Sequence, residues 1–154
     1  MANTYTQLYI HFVFAVKGRK SLISESIREM VQKHMTGTAQ NLGHKMIAIY
    51  CMPDHSHVFL GLCPDIPISE TVRSIKANLS RAVKLESPKM KDFEWQRGYG
   101  AFSYAQSQIS NVANYIHNQP EHHKKQTFKD EYLEFLKKFE IEYDEKYLFE
   151  WLDE

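Results

Sequence analysis

The chain has 154 residues, enough for one domain with a sizeable core; 43% are hydrophobic and 25% charged, and 19 Lys/Arg balance 19 Asp/Glu. Two cysteines, Cys51 and Cys63, exclude a disulfide framework; no run approaches the roughly 18 apolar residues of a membrane span, and the start lacks a signal-peptide pattern, so a cytoplasmic protein is expected. The neutral total hides a split, because residues 129–154 carry 4 Lys against 10 Asp/Glu while residues 1–128 carry 15 Lys/Arg against 9, a mildly basic body that is compatible with nucleic acid without demonstrating it.

Taken in order, Thr4 to Val16 is rich in β-branched and aromatic residues and reads as a first strand. The basic loop Lys17-Gly18-Arg19-Lys20 follows. Ser24 to Gln40 reads as a helix capped by Ser24, with Ile27, Met30, Val31, His34 and Met35 at helical spacing. Lys45 to Cys51 is a second strand, Pro53-Asp54 a turn, and His55 to Leu62 a third strand antiparallel to it. Glu70 to Leu85 is a helix capped near Ser69, burying Val72, Ile75, Leu79 and Val83 and carrying Arg73, Lys76, Arg81 and Lys84 on its other faces. After a long polar connection, Tyr99 to Tyr104 is a fourth strand. Ser107 to Asn118 is a helix stopped before Pro120, Glu121 to Gln126 a polar turn, and Phe128 to Phe139 a last helix with Tyr132, Phe135, Leu136 and Phe139 on one face. The tail is aromatic and acidic.

The order β-α-β-β-α-β is that of an α+β, ferredoxin-like split βαβ fold: an antiparallel sheet with helices on one face, plus C-terminal helices. A single domain over 1–154 is expected, its core at about 4–119 and its C-terminal helix and acidic tail at about 120–154. His55 and His57 would then emerge near the start of a central strand.

Those two histidines are the sharpest local signal. Side chains alternate along a strand, so His55 and His57 share a face with Cα atoms roughly 6.6 Å apart, close enough to converge on one metal ion. Ser56, Val58 and Leu60 point the other way. A zinc site that also recruits Cys51 and Cys63 is opposed by geometry, since Cys63 lies roughly 20 Å beyond His57 along an extended chain. The cysteines read as small core residues. Tyr115 and Gln119 are four residues apart and would share one helical face. A glutamine oxygen with two imidazoles suits a hard divalent ion such as Mg²⁺ or Mn²⁺, and a tyrosine oxygen can act as a covalent nucleophile. No general base is evident beside Tyr115, so activation by the ion is expected. His117 faces away from Tyr115 and reads as a surface or structural residue.

These pieces together resemble the HUH single-tyrosine transposases, the TnpA group of small insertion sequences that move as single-stranded DNA. The resemblance covers nearly the whole chain. It rests on His11-Phe12-Val13-Phe14 with the Lys17 to Lys20 loop, Pro53-Asp54-His55-Ser56-His57-Val58, Ser74 to Asn78, Gly98 to Ser103, and Tyr115 to Gln119 with His122-His123. One departure is Ser56, where the family nominally has a hydrophobic residue. The resemblance implies that His55, His57 and Gln119 hold a divalent metal. It also implies that Tyr115 attacks the scissile phosphate, leaving a 5′-phosphotyrosine and a free 3′-OH. Further implications are a homodimer in which the tyrosine helix can work in trans, and a DNA hairpin at each element end. Lys17, Arg19, Lys20, Arg73, Lys76, Arg81 and Lys84 are the candidate DNA-binding residues. The alternatives are a domesticated relative that processes repeat hairpins, and a hairpin-binding protein without catalysis.

Overall fold

The computed structural model describes residues 3–152; the side chain of Lys20 lies outside the described ones. Four strands form one antiparallel sheet: β1 (Tyr9–Ala15), β2 (Lys45–Cys51), β3 (His55–Gly61) and β4 (Gly100–Tyr104), in the order β2-β3-β1-β4. Helices α1 (Glu25–Asn41) and α2 (Ile68–Glu86) make the two crossovers of the ferredoxin-like pattern. Helices α3 (Ile109–His117), α4 (Gln119–His122) and α5 (Phe128–Lys138) follow the last strand. The expected α+β architecture is therefore the observed one.

The alternation of each strand sorts the residues onto two faces. On one face, Phe12, Phe14, Val58 and Leu60 meet Val31, Met35, Ile75 and Leu79 of α1 and α2 in the main core. The α2 stripe of Val72, Ile75, Leu79 and Val83 is buried, as its spacing predicts. Each such side chain contributes about 1.5–3 kcal/mol on leaving water. Ser56 also turns to this face, where its hydroxyl donates to Cys51 Sγ at 3.4 Å. Cys51 and Cys63 are free, and burial pushes the Cys51 thiol up to about 12.

The other face carries His11, Val13, Ala15, His55, His57, Phe59 and Phe102, and α3 to α5 cover it. Thr127 caps α5 by accepting from the Asp130 amide at 3.1 Å. The tail then packs back: Phe149 and Trp151 lie against Phe128 and Tyr132. Gln96 pins the tail by donating to the Glu150 carbonyl at 2.8 Å and accepting from its amide at 2.6 Å.

Several boundaries differ from the sequence expectation. The first strand begins at Tyr9, not Thr4. Ser24 is the residue before α1, but its hydroxyl pairs with Ser26 and not with the helix amides. α2 starts at Ile68 after Pro67, upstream of Ser69, because proline's fixed backbone already sets the entry angle. The expected turn after Pro120 opens with the short helix α4. Among the described residues, no helix is long and apolar enough to cross a membrane.

Candidate active site

β3 is an interior strand, and its pairing with β1 sets Val13 opposite His57 and Ala15 opposite His55. Both histidines are fully buried beneath the α3–α5 layer. Each is fixed through its Nδ1 atom. His55 Nδ1 lies 2.7 Å from Asp54 Oδ1, and His57 Nδ1 lies 2.7 Å from Nε2 of His11 on β1. Both Nε2 atoms are thereby turned to a common point, the arrangement by which a partner on one ring nitrogen sets the other as a metal ligand.

At that point sits the carboxylate of Glu131, on the inner face of α5. Oε1 is 3.2 Å from His57 Nε2, 3.1 Å from His123 Nε2 and 3.5 Å from His55 Nε2. Oε2 accepts from the Gln119 amide at 2.8 Å and from the Tyr115 hydroxyl. Gln119 Oε1 lies 3.4 Å from His55 Nε2. The Phe128 ring stacks on His55 with centroids 3.8 Å apart and planes 6° from parallel. Tyr115, Gln119, His55 and His57, singled out separately in the sequence, thus meet in one place within a single chain.

Two features depart from expectation. Tyr115 and Gln119 do not share one helix: α3 ends at His117, Asn118 leaves helical geometry, and Gln119 opens α4 ahead of Pro120. Proline lacks an amide hydrogen and disfavours helix in the residue before it, so the chain is interrupted and restarted there. The tyrosine also has a carboxylate beside it, where the sequence showed none. Glu131 escaped the sequence reading, and His123 entered it only beside His122 in the resemblance, with no role assigned. The available signal for Glu131 was its place between Phe128 and Phe135 on the otherwise apolar stripe of α5. His117 is exposed, as expected.

The charge states follow from burial set against these partners. Burial alone would raise the Glu131 carboxyl, but His57 first, with His123 and His55, holds it far below the usual carboxylate range. Burial disfavours charge on His55, yet Asp54 and Glu131 outweigh it and push its pKa up to about 9. His57 stays lowered by burial, which Glu131 only partly opposes. Burial, then the Glu131 charge, raises the Tyr115 phenol well above its ordinary value. In this arrangement the phenol is a neutral donor. His11 is lowered well below its ordinary value, chiefly by burial. Its Nδ1 is buried without a partner.

The donor set fits a divalent ion. His55, His57, His123 and Glu131 each offer one ligand atom, all within 4.8 Å of one another. Two of the imidazoles carry the outer-sphere partners that metal-binding histidines need.

The basic candidates lie elsewhere. Lys17 faces Glu94 at 3.5 Å with both side chains exposed. Arg19 donates to the Leu152 carbonyl of the tail. Lys76 donates to the Gln96 and Gly98 carbonyls at 2.9 and 2.7 Å, and burial lowers its ammonium to about 8. Arg73 lies 3.9 Å from Glu70. Arg81 and Lys84 are exposed.

Residues 4–119 match the family of IS200-like transposases, three-quarters of the sequence. The chain belongs to the IS200-like transposase family. The ISDra2 transposase TnpA of Deinococcus radiodurans is 23% identical over 118 residues, covering 73% of this transposase and 84% of that relative. A solved structure described as a transposase from Deinococcus radiodurans R1 superposes with a TM-score of 0.59 at 22% identity, covering 77% of this chain and 95% of the other. A REP-associated tyrosine transposase bound to a REP hairpin superposes with a TM-score of 0.60 at 18% identity, covering 80% and 73%. The family match ends at Gln119, so the transposase brings His123 and Glu131 to the site from the segment beyond it.

Proposed function

We propose that this transposase cleaves and rejoins single-stranded DNA through a covalent 5′-phosphotyrosine on Tyr115. The observation that carries the reading is the convergence of Tyr115, Gln119, His55 and His57 about one buried carboxylate. His55 and His57, with Gln119 as an oxygen donor, would hold Mg²⁺ or Mn²⁺. Such an ion polarises a phosphate, stabilises its developing charge and favours the phenolate in place of the neutral phenol. Tyr115, oriented by its hydrogen bond to the Glu131 carboxylate, attacks phosphorus; the bond from phosphorus to the 3′ oxygen breaks, and the leaving oxygen takes up a proton as the phenol gives one up, ending as the 3′-OH. The energy of the phosphodiester stays in the protein–DNA bond, so a second 3′-OH can reverse the step without ATP. A cavity of about 310 Å³ beside the phenol, lined by Tyr104, Asn111, Tyr115, Glu131 and Lys138, gives a strand room to approach.

A groove on the α2 side, lined by Arg73, Lys76, Trp95 and Tyr99, combines cations with aromatic rings, the composition suited to phosphates and unpaired bases. It supports Arg73 and Lys76 as DNA contacts, alongside Lys17, Arg19, Lys20, Arg81 and Lys84. The DNA is a single strand with hairpins at the element ends, and the work is done in the cytoplasm. In the family's dimeric arrangement, two copies would exchange tyrosine helices. Mixing Tyr115→Phe with His57→Ala protein reads this directly, since activity returns only if the helix is exchanged.

The decisive experiment mixes the protein with single-stranded DNA spanning its own element ends and Mg²⁺ or Mn²⁺, and resolves the products on a denaturing gel. A slower protein–DNA band is expected, and Tyr115→Phe abolishes it. A band that persists in Tyr115→Phe overturns the nucleophile assignment. Hairpin binding with no adduct under any condition would instead favour a binding protein without catalysis.

A further inference from the structure

We propose that Glu131 and His123 are metal ligands, so that the resident ion is held by three imidazoles and a carboxylate and the site prefers Mn²⁺, Co²⁺ or Zn²⁺ to Mg²⁺. This rests on the transposase reading that His55 and His57 bind a divalent ion. It adds two ligands supplied by the segment after Gln119.

The Glu131 carboxylate is crowded by donors. Three Nε2 atoms, from His55, His57 and His123, lie 3.1 to 3.5 Å from the same carboxylate oxygen. The second oxygen already takes the Tyr115 hydroxyl and the Gln119 amide. A carboxylate has about four lone-pair sites, and three imidazoles aimed at one oxygen oversubscribe it. Two of those rings cannot turn aside without giving up a short bond, His55 to Asp54 or His57 to His11. A cation at the meeting point resolves the crowding, because lone pairs then replace N–H groups around it.

The dimensions agree. A tetrahedral ion roughly 2.1 Å from each donor separates its donors by about 3.4 Å. The three imidazole-to-Oε1 distances of 3.1 to 3.5 Å bracket that value. A fully buried acid on an apolar helix face is also rare unless paired or coordinated. Gln119 Oε1, 3.4 Å from His55 Nε2, stays within reach as a further oxygen.

The donor set fixes the preference. Mg²⁺ seeks oxygen ligands and binds imidazole poorly, whereas three nitrogens and one carboxylate oxygen suit the borderline first-row ions.

Titration of the metal-free protein with Co²⁺, followed by its visible d–d absorption and by chelator competition, reads both ligand number and affinity. Wild type should give intense low-coordinate bands, and should bind Mn²⁺ at least tenfold tighter than Mg²⁺. Glu131→Gln and His123→Ala should each weaken Co²⁺ binding at least tenfold and change the band pattern. Wild-type affinity and spectra in both variants, with binding lost in His57→Ala, would overturn the proposal and leave the His55/His57 reading intact. Undiminished binding in His57→Ala would overturn that reading itself. If circular dichroism shows Glu131→Gln unfolded, His123→Ala decides alone, since the His123 side chain keeps 11% of its surface exposed against 2% for Glu131.

Discussion

The two faces of the sheet are built on opposite principles. Toward α1 and α2, Phe12, Phe14, Val58 and Leu60 pack into an apolar core and are essentially inaccessible, with the Lys76 ammonium 5.8 Å over the Phe14 ring at its margin. Toward α3, α4 and α5, the same two central strands present His11, His55 and His57, and the helix packed over them inserts a carboxylate. One face stabilises by removing apolar surface from water. The other buries polar groups that are tolerable only because nearly every one has a partner. The alternation of β1 and β3 lets one strand pair serve both: Val13 and His57 are cross-strand partners on the chemical face, Phe12 and Val58 on the apolar one.

The largest effect that separates the faces is a truncation on the apolar side. Leu79, 1% exposed in the α2 stripe, should cost about 2–5 kcal/mol of unfolding free energy when changed to alanine, read by urea denaturation. The increment gained from a divalent ion should survive unchanged. At a hundredfold excess over Kd that increment is about 2.7 kcal/mol, and distant sites add. Should the ion stabilise Leu79→Ala by clearly less than wild type, the faces are coupled and the division fails.

A smaller effect should cross from a strand to the chemistry. A Cβ on Gly100 of β4 would lie 2.8 Å from the Tyr132 hydroxyl oxygen, 2.9 Å from its Cε1 and 3.0 Å from Phe102 Cε2. Tyr132 follows Glu131 on α5. Gly100→Ala should therefore cost about 1–3 kcal/mol by overpacking, and should also weaken ion binding by displacing the helix that carries Glu131. Lost stability with unchanged ion affinity would show that Tyr132 yields alone and α5 holds its place.

The apolar face was legible in the sequence and the chemical face only in part, for a physical reason. Helical and strand periodicities report which residues share a side, so the α2 stripe and the common direction of His55 and His57 were both readable. Tyr115 was found because a tyrosine, a glutamine and a histidine pair make chemical sense together. Glu131 was hidden because local pattern assigns a charged residue to solvent, and it sits within ten acidic residues of the last 26. Only the docking of α5 across the sheet shows that this one turns inward. The break between Tyr115 and Gln119 was missed for a related reason: four-residue spacing assumes one continuous helix, and Pro120 forbids it.

The smallest expected effect lies on the margin of the apolar face, at His44, and tests whether a buried histidine there behaves unlike those of the cluster. His44 Nδ1 accepts from the Cys63 amide at 2.9 Å, so its proton is on Nε2, which donates to the Thr71 hydroxyl at 2.8 Å. Thr71 in turn donates to the Pro67 carbonyl at 3.1 Å. Protonating Nδ1 would set a donor against the Cys63 donor, and burial lowers the His44 pKa below its ordinary 6.5. The unfolded chain, titrating near 6.5, then binds the proton that the folded chain refuses. The contribution of His44 to stability is complete above about pH 6.5 and falls as the pH drops toward its folded pKa, by at most about 1.4 kcal/mol per pH unit. In urea unfolding between pH 7 and 5, wild type should lose stability more steeply than His44→Gln, whose amide can keep both hydrogen bonds without titrating. Parallel curves would mean that His44 takes up its proton in the folded state, and that the hydrogen-bonded chain through Thr71 reorganises to accept it.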